Sequence, residues 1–319
     1  GPDPRILGAP GWVLLLCAVC IVATVVECEP MLRREPRMAR PREAVAVAAA
    51  KRRRSMRMRA ALAVGVSGAW AMLLLYPFAP KTAQGYLELT MLDVGQGEAL
   101  LVVGPEGSTM LIDTGGLGGY SSASRLDTGE EIVAPYLWER GIRRLDLLVL
   151  SHFDFDHAGG ASSILRAFRP RELWTPAPVE GHALAQEVAA VAKECGVPVV
   201  VKGAGDRVQM DGVEITVLHP GPLTFMAGGS NESSLVLQLR YGESTMLLTG
   251  DLGRREELQL LTLGDVPRAD VLKVAHHGSG TSTSDAWVQR VQPSIALISA
   301  GWLNPFRHPN ASVVERLER

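Results

Sequence analysis

The sequence predicts an α/β protein, a four-layer αββα sandwich preceded by two transmembrane helices. Three observations predict it. Along residues 82–319, short apolar strands fall into two groups with helices between and outside them. Residues 1–81 hold two long runs without a charged side chain. The stretch Ser151-His152-Phe153-Asp154-Phe155-Asp156-His157-Ala158-Gly159-Gly160 sets four potential metal ligands in six residues, directly after the apolar run 145–150.

The charge-free runs are residues 6–26 and 60–80. Each is about 20 residues, the length a helix needs to cross a bilayer. Arg5 and Glu27 bracket the first; Arg59 and Lys81 bracket the second. The first is too long for a cleavable leader, and a second apolar run follows it. The loop between them carries Arg33, Arg34, Arg37, Arg40, Arg42, Lys51, Arg52, Arg53, Arg54, Arg57 and Arg59 against four glutamates. So basic a short loop stays in the cytoplasm. The second helix then runs outward, and residues 82–319 fall on the extracytoplasmic side of the inner (cytoplasmic) membrane. Residues 44–59 are Ala-rich and read as a helix on the membrane surface, in contact with anionic lipid, with a nucleic-acid contact the other reading of so basic a run. The chain opens on Gly1-Pro2 without a methionine, as expected of a piece of a longer membrane protein.

Charge divides the same way. The chain has 32 Lys and Arg and 34 Asp and Glu; residues 1–80 hold 12 and 5 of these, leaving 20 and 29, a net of −9, for residues 81–319. An acidic domain has no broad basic surface for nucleic acid. A polyanionic substrate there needs a local basic patch or bound cations. Residues 82–319 suffice for one sizeable domain. Cys17, Cys20 and Cys28 lie in or beside the first apolar run, where they read as small hydrophobes. Cys195 stands alone in the remainder, so no intradomain disulfide is expected.

Residues 86–92, 99–103 and 109–112 read as strands between Gly and Pro turns. Residues 130–140 have helical apolar spacing. A buried strand is expected at 145–150, then helices at 158–168 and 182–195, the latter stopped by Gly196 and Pro198. Strands are expected at 197–201, 213–218, 234–241, 244–248, 271–274 and 295–299. Residues 254–263, 284–291 and 312–317 read as helices.

The chemistry collects just after strands. His152 and Asp154 are placed to hold one cation, and Asp156 and His157 a second. Two adjacent cations form a clamp for hydrolysis, in which a bridging hydroxide attacks and both ions neutralise developing charge. A polar loop with buried, hydrogen-bonded histidines is the other reading of the bare pattern. Asp113-Thr114-Gly115 offers a carboxylate to orient a ligating histidine. Thr249-Gly250-Asp251 offers one to bridge two cations. Lys273-Val274-Ala275-His276-His277-Gly278-Ser279 supplies a lysine, two imidazoles and a hydroxyl, and His308-Pro309 comes last. His182 and His219 match none of these motifs and read as structural or surface residues.

These motifs, with Met91-Leu92-Asp93-Val94-Gly95-Gln96-Gly97-Glu98 before them, resemble the metallo-β-lactamase superfamily and, within it, the ComEC family of DNA-uptake membrane proteins. The resemblance covers about residues 87–319. Asp154, where the superfamily has histidine, and Asn231-Glu232-Ser233-Ser234, where it has a histidine ligand, both resemble the ComEC family. Glu98 stands where that family usually has Asp, and Arg307 where it usually has Gly. The resemblance implies metal ligands His152, Asp154, Asp156, His157, Asn231, Asp251 and His308, with Asp93, Asp113 and Ser279 supporting them.

Such an oxygen-rich donor set without thiolate favours Mn²⁺, with Zn²⁺ the alternative. The expected reaction is two-metal phosphodiester hydrolysis. Asp156 belongs to the catalytic set, Lys273 stabilises charge, and His276 or His277 protonates the leaving oxygen. DNA, membrane lipid and other competence and DNA-uptake proteins are the implied partners. Two other classes stay open: a hydrolase of the same fold acting on a lactone, β-lactam or phosphorylcholine ester, and a non-catalytic gating domain.

Overall fold

The structure, a computed structural model, describes residues 82, 84–116, 126–177, 181–221 and 231–319, with scattered positions between 15 and 70. The chain divides into two compact units, Gly1–Ala79 and Pro80–Arg319. The expected spans at 6–26 and 60–80, and the basic loop, lie mostly outside the described residues. Among the described residues no helix is long and apolar enough to cross a membrane. Helical positions described there include Leu15, Val19, Val22, Met56 and Val64, all exposed.

The second unit is built on two six-stranded sheets. The first runs in the order β1 (Glu88–Met91), β2 (Leu100–Val103), β3 (Thr109–Ile112), β4 (Leu147–Val149), β5 (Glu172–Thr175), β6 (Val199–Val201). The strands β1 to β3 pair antiparallel, and β3 to β6 pair parallel. The second sheet contains β7 (Arg207–Met210), β8 (Val213–His219), β9 (Val236–Tyr241), β10 (Ser244–Leu248), β11 (Val271–Lys273) and β12 (Ile295–Leu297), neighbours in chain order. Here β7 to β10 are antiparallel and β10 to β12 parallel.

Apolar side chains on both faces of the central strands explain the layers. In β2, Leu100 and Val102 face the second sheet, where they meet Ile215, Leu237 and Leu239. Leu101 and Val103 face away and pack with Leu137, Ile164, Phe168 and Val188. These belong to α1 (Ala134–Glu139), α3 (Ala161–Phe168) and α4 (Ala183–Cys195). On the far side of the second sheet, Val236, Leu247 and Leu272 pack against Leu260 of α5 (Arg254–Leu263) and Trp287 of α6 (Asp285–Val291). Three cores separate four layers, the αββα sandwich that the sequence predicts.

Two strands, β5 and β7, are absent from the sequence reading. Two expected helices are each divided. Residues 130–140 form a π-helical turn, Gly129–Val133, followed by α1. Pro135 has no N–H to continue the ladder, so the hydrogen bonding resets there. Residues 158–168 begin earlier, as the one-turn α2 (Phe155–Ala158), and restart after Gly159-Gly160 as α3. A side chain at Gly116 would collide with the Phe155 carbonyl, so that glycine lets the loop after β3 lie against the ligand-bearing turn.

Candidate metal centre

Parallel pairing of β3 with β4, of β10 with β11, and of β11 with β12 brings the carboxyl ends of these strands to one edge of the sandwich. Asp113 follows β3, Ser151 to His157 follow β4, Asp251 follows β10, His276 and His277 follow β11, and Ser299 follows β12.

Hydrogen bonds fix the ring orientations. Asp113, buried, accepts from the Ser151 N–H at 2.7 Å, the Ser151 hydroxyl at 2.6 Å and His157 Nδ1 at 2.8 Å. The Ser151 hydroxyl donates to Asp113 and so accepts from His152 Nδ1 at 3.0 Å. His277 Nδ1 faces the Ser299 carbonyl at 2.8 Å and must donate to it. All three imidazoles therefore carry their proton on Nδ1 and turn an Nε2 lone pair inward.

Those lone pairs converge. His157 Nε2 lies 3.2 Å from His277 Nε2 and 3.2 Å from Asp251 Oδ1. Asp251 Oδ2 is 3.5 Å from His277 Nε2, and Asp156 Oδ2 is 3.3 Å from it. His152 Nε2 is 3.7 Å from Asp154 Oδ2. Glu98, His157, Asp251 and His277 present ligand atoms all within 4.8 Å of one another. His152 Nε2, Asn231 Oδ1 and His308 Nδ1 are buried with no hydrogen-bond partner among the described residues. Inward lone pairs facing carboxylates, with their outer nitrogens anchored, make the donor set of a cation site. The residues fit divalent metal ions, and the fit rests on these buried acceptors.

Electrostatics agree. Burial alone would lower His157, but the carboxylates of Asp251 and Asp113 carry it well above an ordinary histidine. Burial raises Asp251, yet His157 and His277 hold it below the usual carboxylate range. Burial, then the charge of His157, pushes His152 down to about 4. The site draws positive charge to the His157–Asp251 contact and refuses it at His152.

Other expected site residues occupy different positions. His276 is partly exposed, with Nε2 3.7 Å from Asp251 Oδ2. Its ring meets His308 edge-on at 6.1 Å. His276 and His277 adopt left-handed backbone, φ 50° and 54°, which fans their rings apart. Asp93 is exposed, and its Oδ1 accepts from Gly95 N in a local turn. Ser279 bonds Thr281 rather than any ligand. Lys273 is wholly buried, with its ammonium on Glu98 and on the Gly250 carbonyl. It has no open side from which to meet a substrate, so the expectation that it stabilises reacting charge directly is corrected. It neutralises Glu98 instead. Burial pushes this ammonium down to about 7.

His219 donates to the Ser234 carbonyl, and His182 caps α4 by accepting from Ala185 N. The sequence reading gave no site role to Glu98, Ser151 or Ser299. Glu98 left a signal: an acid abutting a wholly apolar strand must be buried, and a buried carboxylate needs a cation.

The profile of the Metallo-beta-lactamase superfamily matches residues 92–302. ComE operon protein 3 of Bacillus subtilis (strain 168) is 35% identical over 255 residues, covering 78% of this chain and 32% of that protein. Recombination protein 2 of Haemophilus influenzae is 38% identical over 234 residues, 73% of this chain and 26% of that one. Competence protein ComA of Neisseria gonorrhoeae is 33% identical over 254 residues, 78% and 32% of the two chains. The chain thus spans about a third of the length of these relatives or less. With more than half its length matched by one family and a buried ligand cluster at the strand ends, the chain belongs to the metallo-β-lactamase superfamily.

Proposed function

We propose that this chain is a metal-dependent phosphodiester hydrolase, the nuclease part of a DNA-uptake membrane protein. The observation that carries this reading is the meeting of His157 Nε2, His277 Nε2 and Asp251 Oδ1 with outer nitrogens tied down. His152, Asp154, Asp156, His157, Asp251 and His277 would hold two divalent cations, with Asn231 and His308 completing the set. Mn²⁺ is favoured by the oxygen donors and Zn²⁺ is the alternative. Such ions supply Lewis acidity and an activated water. His276, partly exposed and without a carbonyl anchor among the described residues, is the residue placed to give a proton to the leaving oxygen.

The competence relatives support DNA as the substrate. The arginine-rich loop between apolar runs supports an inner-membrane location with residues 82–319 outside, and exposed Leu15, Val19, Val22 and Val64 suit a lipid environment. Other competence and DNA-uptake proteins are the partners that follow. The test is the full chain in detergent, offered labelled single- and double-stranded DNA with Mn²⁺, Mg²⁺, Zn²⁺ or a chelator. Cleavage with Mn²⁺ and none with chelator is expected. Inert DNA beside rapid turnover of a lactone, β-lactam or phosphorylcholine ester would replace the nuclease reading.

A further inference from the structure

Next to the metal centre, the loop Gly301-Trp302-Leu303-Asn304-Pro305-Phe306-Arg307 turns large apolar side chains outward. Trp302 is 92% exposed and Phe306 56%. Such surface is costly to leave in water unless it meets something. The loop is anchored to the site. Phe306 stacks on the His308 imidazole, with centroids 5.7 Å apart and planes 15° from parallel. Asn304 holds the His308 backbone through two hydrogen bonds, Nδ2 to the carbonyl at 2.6 Å and the His308 N–H to Oδ1 at 2.9 Å. A cavity of about 500 Å³ lies between this loop and the turn after β1, lined by Trp302, Leu303, His308, Ser299, Asp93 and Gly95. Residues 301–310 contain no carboxylate and one exposed arginine, Arg307, in a domain that is otherwise acidic.

We infer that Trp302 and Phe306 form a stacking platform for the bases of a single strand of nucleic acid whose backbone lies at the metal centre, with Arg307 beside the phosphates. Aromatic faces accept any base, so the platform grips a strand without reading its sequence. A duplex hides its base faces and gains nothing from it. The inference rests on the nucleic-acid reading of the site and narrows the substrate to unpaired strands. A membrane surface is the competing occupant of exposed Trp and Leu. The ring stacked on His308 and the cavity shared with that residue favour the strand.

The test uses the full chain in detergent. Anisotropy measures binding of a fluorescent phosphorothioate dT12 and of an abasic backbone of equal length and charge. Wild type should bind dT12 the tighter. Trp302→Ala and Phe306→Ala should each weaken dT12 by about 5- to 100-fold, the loss of one stacked base. Abasic binding and metal content should hold, which separates stacking from misfolding. Undiminished dT12 binding in both variants overturns the platform. So does a loss confined to phosphatidylglycerol vesicles, which assigns the loop to lipid. Binding that follows this pattern without DNA cleavage keeps the platform and sinks the nuclease reading. A wild type that ignores dT12 removes the platform, and cleavage of duplex alone would then carry the nuclease reading.

Discussion

His157 and His277 point their Nε2 atoms at each other across 3.2 Å, while each commits its other nitrogen elsewhere, to the Asp113 carboxylate and the Ser299 carbonyl. Two lone pairs at that distance repel. Asp251 Oδ1, 3.2 Å from His157 Nε2, adds a third set of electrons. Only a proton or a metal ion relieves the arrangement, and the predictions follow from which of them is there.

Asp251→Ala should remove metal and at least about 10²-fold of activity, because one carboxylate faces both histidines. His182→Ala should cost at most about 1 kcal/mol of stability, the worth of a helix cap, with metal and turnover intact. Elemental analysis and rate measurements on both variants check this. Full occupancy in Asp251→Ala would remove it from the ligand set.

Metal binding should release a proton. Asp251 and Asp113 raise His157, so without metal this ring keeps its second proton to higher pH than an ordinary histidine. A cation must displace that proton, and affinity should climb with pH until the raised value is passed. Stability of the metal-free protein runs the other way. The proton on His157 stabilises the fold fully below about pH 6.5, and this is lost as pH rises through the raised value. Calorimetry in two buffers of different ionisation enthalpy counts the protons: about one is expected at pH 7, and fewer in Asp113→Asn. Equal heats in both buffers would argue against the scheme.

The two adjacent histidines should separate. His277→Ala should lose metal and slow an ordinary phosphodiester and a nitrophenyl phosphodiester alike, since its Nε2 lies within the cluster. His276→Ala should keep metal and slow the ordinary diester by about 10²–10⁴-fold. A good leaving group needs little protonation, so the nitrophenyl substrate should be spared. Equal damage to both substrates by His276→Ala would make it a ligand.

Glu257 is buried and accepts from the backbone N–H groups of Thr283 and Ser284 at the start of α6. Glu257→Ala leaves two donors unsatisfied and should cost about 2–4 kcal/mol. Urea midpoints test this; a shift no larger than that of a surface Glu→Ala control would show that water replaces the carboxylate.

Arg307 has a left-handed backbone, φ 55°, a conformation that costs a side-chain-bearing residue about 1–2 kcal/mol. Glycine, which bears this conformation without a Cβ clash, is the residue such a backbone favours. Arg307→Gly should be neutral or stabilise by up to about 1 kcal/mol, after the entropy that glycine loses on folding. Thermal unfolding of the metal-free chain decides it.

Much of the fold was legible because its core strands are apolar on both faces and sit between turn residues. The strand β7 was missed, since Arg207-Val-Gln-Met alternates polar with apolar at a sheet edge; the Asp211-Gly212 turn into β8, both with positive φ, was the available signal. The strand β5 escaped because Glu172–Thr175 opens on an exposed glutamate and holds one β-branched residue, Thr175. At the site, His152 to His157 announced themselves by spacing. Ser151 and Ser299 did not, because an orienting hydroxyl or carbonyl carries no pattern until the fold sets it against a ring. Lys273 shows the opposite error: its charge suggested contact with substrate, and only burial reveals that it faces Glu98.

The ligands come from both sheets. His157 follows β4 of the first and Asp251 follows β10 of the second. A cation gripped by both is a rivet across the seam between two half-domains that otherwise meet through oily side chains, which slide more readily than they separate. Loading therefore reports assembly: a chain whose halves are out of register by one residue cannot close the rivet. An idle, half-assembled domain is then also an empty one.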